Sequence, residues 1–255
     1  MDYQPVPLSR GRRFLIDMLA AAAAVPTVPV QRRMDLSAVA AARLAAGRPA
    51  WPAVFIKGFA GVAARTPALR RALVKFPWPR LVEYPVSVAS VAVERVVDGE
   101  PVVLFGRIGD PLAWPLWRLG ARVRAYARLP VEKVAPFRQL LRLAALPGPL
   151  RRAALWLGLN HPRFRANRFG TFGVTVYSSL GAESLHPLSP LTTTLTYGPI
   201  GPDGRADVRL IYDHRTLDGA TVARTLADLE AELNGPVLAE LRATGGNRFP
   251  LRMAA

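Results

Sequence analysis

The order of segments in the last third of the chain restricts the fold more than any other feature. Segments 171–177, 191–197 and 207–213 read as strands, and Gly201-Pro202-Asp203-Gly204 supplies the turn between the last two. The third strand passes almost directly into a helix predicted over 219–233, with Val222, Leu226, Leu229 and Leu233 at helical spacing. Asn234-Gly235-Pro236 is predicted to stop that helix, and a short helix follows to Arg242. Strands alternating with helices exclude a helical bundle and a β-sandwich, and imply an α/β (α+β) fold.

The rest of the chain supplies more of both element types. Residues 12–24 read as a helix stopped near Pro26, and Val28–Met34 has strand character. Asp35 or Ser37 caps a helix through Ala46, ended by Gly47 and Pro49. Residues 53–64 and 67–75 are predicted helical, divided at Thr66-Pro67. Residues 86–93 form a strand that is apolar on both faces, the mark of a buried strand. Asp98-Gly99 supplies a tight turn, and Val102–Phe105 returns. Between 111 and 168, prolines and glycines such as Leu146-Pro147-Gly148-Pro149 divide the chain into short, arginine-rich amphipathic helices.

The strand-to-helix junction is Tyr212-Asp213-His214-Arg215-Thr216-Leu217-Asp218-Gly219, which holds one of only three histidines. Histidine can take and return a proton near neutral pH. The run resembles the Asp-His-Arg-x-x-Asp-Gly signature of the 2-oxo acid dehydrogenase acyltransferase catalytic domain, whose fold is shared with chloramphenicol acetyltransferase. Ser178-Ser179-Leu180-Gly181 resembles a second segment of that family, and Gly170-Thr171-Phe172 the start of it. Met34–Val39 resembles the family's strand-to-helix entry, and Leu8-Ser9 with Arg12 its beginning. The match covers residues 8–242 in outline and is sharp at 170–181 and 212–219.

The resemblance implies a mixed sheet flanked by helices, in one catalytic domain over 1–255 with a basic helical insert at about 111–168. It implies a homotrimer, with further assembly left open. It implies a CoA-thioester-dependent acyltransferase in which His214 is the general base and Ser178 donates to the tetrahedral oxyanion. Asp218 would shape the loop that holds the base, with Arg12 an ion partner by position; the alternative for Asp218 is the N-cap of the following helix. CoA or acyl-CoA would be substrate, with no metal. The family's full-length enzymes carry lipoyl and subunit-binding domains ahead of the core; here neither is expected, nor a covalent lipoyl group. A catalytically inactive trimeric scaffold or docking protein of the same fold is the alternative.

Composition narrows the chemistry. The chain has no cysteine, which removes disulfides, thiolate metal sites and a cysteine nucleophile. Three histidines make a histidine-rich metal site improbable. His161 and His186 sit beside prolines in loops and carry no expected role. The net charge is +16, and only three of the 34 basic residues are lysine. Such a charge reads first as a codon-biased, arginine-rich surface, and next as a face for the phosphates of CoA, an anionic membrane or a partner protein docking at 111–168. No nucleic-acid-binding motif accompanies the charge, so nucleic acid is not an expected partner. Arg12-Arg13-Phe14-Leu15-Ile16 mimics a twin-arginine export signal, but Asp17 interrupts its apolar run. A cytoplasmic protein, peripheral on a membrane if the basic lobe docks there, is expected.

Overall fold

The computed structural model describes residue 1 and residues 3–246. In chain order, the elements are α1 (Arg10–Ala23), β1 (Thr27–Asp35), α2 (Ser37–Ala45), α3 (Trp51–Arg65), β2 (Arg71–Val74), β3 (Arg80–Glu83), β4 (Val88–Val97) and β5 (Glu100–Gly109). Then come α4 (Leu116–Arg128), α5 (Ala135–Ala144), α6 (Gly148–Asn160), α7 (Pro162–Phe169), β6 (Phe172–Val174), β7 (Thr193–Tyr197), β8 (Arg205–Asp213), α8 (Gly219–Glu232) and α9 (Leu238–Gly246). The main sheet has six strands in the order β1-β8-β7-β6-β4-β5. β6 runs parallel to both of its neighbours, and the remaining pairs are antiparallel. The sheet is therefore mixed and flanked by helices, as expected.

Helix α3 is the centre of one face. Its residues from Ala53 to Ala63 are almost all buried and apolar, as a helix covered on every side must be. Phe55 stacks on Tyr197 at 4.0 Å between ring centroids, and Phe59 meets Phe172 at 4.6 Å. These two contacts fix α3 across β7 and β6. The opposite face carries Ser90, Ala92, Val103, Phe105 and Gly173, brought level by strand register. Helices α1, α5, α6 and α7 stand over that face and leave a cavity beneath them.

Turn chemistry sets the β4–β5 register. Asp98 and Gly99 both take positive φ, the geometry that matches the twist of a two-residue hairpin. Gly204 also has positive φ, and a Cβ there would lie 2.4 Å from the Ser37 backbone. Only glycine fits the close approach of the β7–β8 turn to the start of α2.

Two expectations fail. Residues 67–75 are not one helix: Pro67–Arg70 form a single 3₁₀ turn, and Arg71–Val74 pair with Arg80–Glu83 in a separate two-stranded sheet. Pro77 and Pro79 cannot donate to a helix and turn the chain back onto itself. Nor does Asn234-Gly235-Pro236 stop the helix after 233. Residues 233–237 form a π-helical turn that leads into α9. The wider turn accommodates Pro236, whose missing N–H would otherwise break the ladder. Residues 111–168 do form the short helices α4–α7.

The segment that resembles an export signal packs into the fold. Asp17 is buried in α1 and meets the Arg151 guanidinium of α6 at 2.5 Å. Arg151→Met is expected to destabilise the fold by about 3–5 kcal/mol, because Asp17 is left as an uncompensated buried charge. Denaturant midpoints check this. An Asp17→Leu/Arg151→Met pair should recover most of the loss, because it removes both charges.

Candidate active site

His214 is the first residue beyond β8. Its backbone N–H donates to the Pro26 carbonyl at 3.0 Å, which ties it to the start of β1. The turn around it is built by Asp213, which is fully buried. The Asp213 carboxylate accepts two bonds of 2.8 Å from the Arg215 side chain and one of 3.0 Å from the Arg215 backbone N–H. The Asp213 carbonyl accepts from the N–H groups of Thr216 and Leu217 and from the Thr216 hydroxyl. Asp213 and Arg215 thus hold the loop.

The loop in turn orients the histidine. His214 Nδ1 lies 3.1 Å from the Leu217 carbonyl. A carbonyl can only accept, so Nδ1 carries the hydrogen and Nε2 keeps its lone pair. The ring packs against Tyr212 at 5.3 Å and is otherwise exposed. Its free nitrogen is therefore the basic one.

Asp218 takes the N-cap position of α8 with extended backbone, yet its side chain makes no cap bond. Among the described residues its exposed carboxylate has no hydrogen-bond or ion-pair partner. Arg12 is not available to it: Arg12 pairs with Glu100 at 2.6 Å, at the α1 end of the β4–β5 hairpin.

Ser178 opens a 3₁₀ turn just past β6. The serine's carbonyl, rather than its hydroxyl, closes that turn by accepting from Gly181 N–H. The hydroxyl approaches that of Tyr197, but the pair does not reach hydrogen-bond geometry. Burial holds the Tyr197 phenol well above its ordinary range, so it stays protonated. After Ser178 the chain runs across the sheet: Glu183 pairs with Arg209 at 3.0 Å, and His186 Nε2 meets the Thr27 hydroxyl at 2.8 Å. The hydrogen bond from Arg209 holds the Glu183 carboxyl below its ordinary value. His161 caps α7 by accepting from the Arg163 N–H at 3.2 Å. Both remaining histidines thus have structural contacts that their loop positions did not reveal.

The chain's own His214 and Ser178 stand at opposite ends of the sheet. Asp213 N–H donates to Thr192, just before β7, whereas Ser178 adjoins Tyr197 at the far end of β7. Tyr197 pairs with Val208, and the span from Val208 to His214 is roughly 20 Å at strand rise. Proton transfer and oxyanion donation at one carbonyl need groups a few ångströms apart. One copy of the chain does not assemble both.

The site contains no ready metal centre: no group of three or more His, Cys, Asp or Glu side chains among the described residues could hold an ion. No described helix is long and apolar enough to cross a membrane. The arginine-rich helices leave Trp117, Leu150 and Trp156 exposed, while Trp114 is covered by the Arg118 guanidinium at 3.9 Å.

No family model and no curated protein matches the chain by sequence. Its fold is nevertheless that of known acyltransferases. Dihydrolipoamide acetyltransferase from Azotobacter vinelandii superposes with a TM-score of 0.64 at 18% identity, covering 95% of this chain and 94% of that one. The truncated catalytic core of the 2-oxoacid dehydrogenase multienzyme complex from Thermoplasma acidophilum gives 0.63 at 14% identity, covering 92% and 99%. A chloramphenicol acetyltransferase gives 0.50 at 13% identity, covering 89% and 96%. In the Azotobacter enzyme a serine, a histidine and an asparagine four residues beyond it have been investigated for catalytic roles. This chain has Asp218 four residues beyond His214.

Proposed function

We propose that this chain is a CoA-thioester-dependent acyltransferase whose active sites form between copies, most simply in a trimer. The observation that carries the reading is the His214 ring, fixed by the Leu217 carbonyl with Nε2 free and exposed. In the proposed reaction, Nε2 takes the proton of an acceptor, and the acceptor attacks the thioester carbonyl. Ser178 of a neighbouring copy donates to the oxyanion, with the protonated Tyr197 beside it. The C–S bond then breaks, and CoA leaves with the proton that His214 returns. Asp218 is assigned to the start of α8 beside the His214 loop, where its carbonyl accepts from the Val222 N–H. No covalent acyl-enzyme is needed, and coenzyme A is a substrate. The fold of the neighbours supports acyl transfer, and the separation of Ser178 from His214 within one chain supports an intermolecular site.

The test is a panel of acyl-CoAs offered with thiol and alcohol acceptors, with CoA release followed by a thiol reagent. Acceptor-dependent CoA release with at least one pair is expected. Its absence across the panel would favour the alternative, an inactive scaffold of the same fold. The detached positions of His214 and Ser178 in one chain are the observation that keeps that alternative open.

A further inference from the structure

A cavity of about 570 Å³ lies on the sheet face away from α3. Such a volume suits a small molecule. Ala92, Phe105 and Gly173 form its floor, and Met18, Leu143, Leu157 and Leu191 its walls. One end runs through Thr175 and Tyr177, the residues leading to Ser178. At the other end stand Arg107, Gln139 and Arg168.

This second end carries charge with no counter-ion. Arg107 donates through one nitrogen to the Arg168 carbonyl at 2.7 Å and through another to the Gln139 side-chain oxygen. Arg168 approaches the same oxygen at 3.5 Å. Two guanidiniums thus converge on one neutral acceptor, and no carboxylate pairs with either among the described residues. Burial, and after it the charge of Arg168, pull the Arg107 guanidinium below its ordinary value. An anion placed between the two would relieve their repulsion and accept charge-assisted hydrogen bonds.

Strand register orders the two ends. Arg107 is level with Ser90, and Ser90 with Gly173. From Gly173 the chain runs on to Ser178, a reach of at most about 18 Å if fully extended. Arg168 precedes β6 and Ser178 follows it, so the arginines lie at the end of the cavity away from Ser178.

We propose that the cavity binds an extended apolar chain with an anionic group, carboxylate or phosphate, at one end. The anion sits on Arg107 and Arg168, and the non-anionic end points toward Ser178. On the acyl-transfer reading this molecule is the acceptor and carries a hydroxyl or thiol at its non-anionic end, so that role rests on that reading; the binding itself does not.

Calorimetric titration with dodecanoate, dodecyl phosphate and dodecanol, below their aggregation concentrations, tests the proposal. Both anions are expected to bind about tenfold or more tighter than the alcohol. Their order tells a carboxylate source from a phosphate one. Arg107→Met and Arg168→Met should each bring the anions toward the alcohol's affinity and leave the alcohol unchanged. Arg107→Lys should retain most of the preference. Ala92→Phe, which fills the cavity from its floor, should weaken all three ligands. Equal binding of alcohol and anions, an unchanged preference in both methionine variants, or no binding of any probe would overturn the proposal. Binding needs no turnover, so binding without CoA release across the panel would favour the inactive scaffold and leave the amphiphile site standing.

Discussion

His214→Ala is expected to lower acyl transfer by about 10²–10⁴-fold, the usual contribution of a positioned general base. The acceptor must lose its proton as it attacks, and Nε2 is the basic atom the loop presents for it. Nδ1 cannot substitute, because its hydrogen is committed to the Leu217 carbonyl. The variant should fold normally, since the ring is exposed and the turn is held by Asp213 and Arg215. Circular dichroism and the oligomeric state establish that before rates are compared. Asp218→Asn should be milder, since its carboxylate makes no bond that an amide would lose. A folded His214→Ala protein with wild-type rates would exclude the mechanism.

The parts of the fold legible from sequence are those set by local chemistry. Asp98-Gly99 specifies its hairpin through backbone conformation alone, and the apolar period of α8 specifies its buried face. The β2–β3 ribbon was not legible, because Arg71–Val74 has no alternation to set it apart from the helix before it, and its partner lies beyond Pro77 and Pro79. The π-helical turn at 233–237 was hidden for a similar reason. Asn234-Gly235-Pro236 is a stop signal by propensity, and it is overruled by the burial of Leu233 and Val237. At the site, motif and order pointed to His214, Ser178 and Asp218. They could not show that Leu217 orients the imidazole, that Tyr197 lies beside Ser178, or that Arg12 is paired elsewhere. Those facts depend on which strand ends adjoin. The cavity was equally invisible, since its lining comes from segments scattered between Phe14 and Thr194.

On the proposed mechanism, Ser178→Ala is expected to lower turnover by about 10²–10³-fold, with little change in acyl-CoA binding, since the oxyanion exists only in the transition state. The more decisive result comes from pairing it with His214→Ala. The two residues lie at opposite ends of one chain's sheet, so the proposed site draws His214 from one copy and Ser178 from another. In a closed ring of randomly mixed variant chains, about a quarter of the interfaces combine an intact His214 with an intact Ser178. Co-expressed and co-purified variants should therefore regain activity to about a quarter of wild type, well above either variant alone. If both residues served a site within one chain, every chain in the mixture would carry one lesion, and no recovery would occur. A verified mixed oligomer that stays as inactive as its parents would remove the intermolecular site. With the two residues roughly 20 Å apart along the sheet within a chain, that outcome would also remove any joint role for them in one reaction.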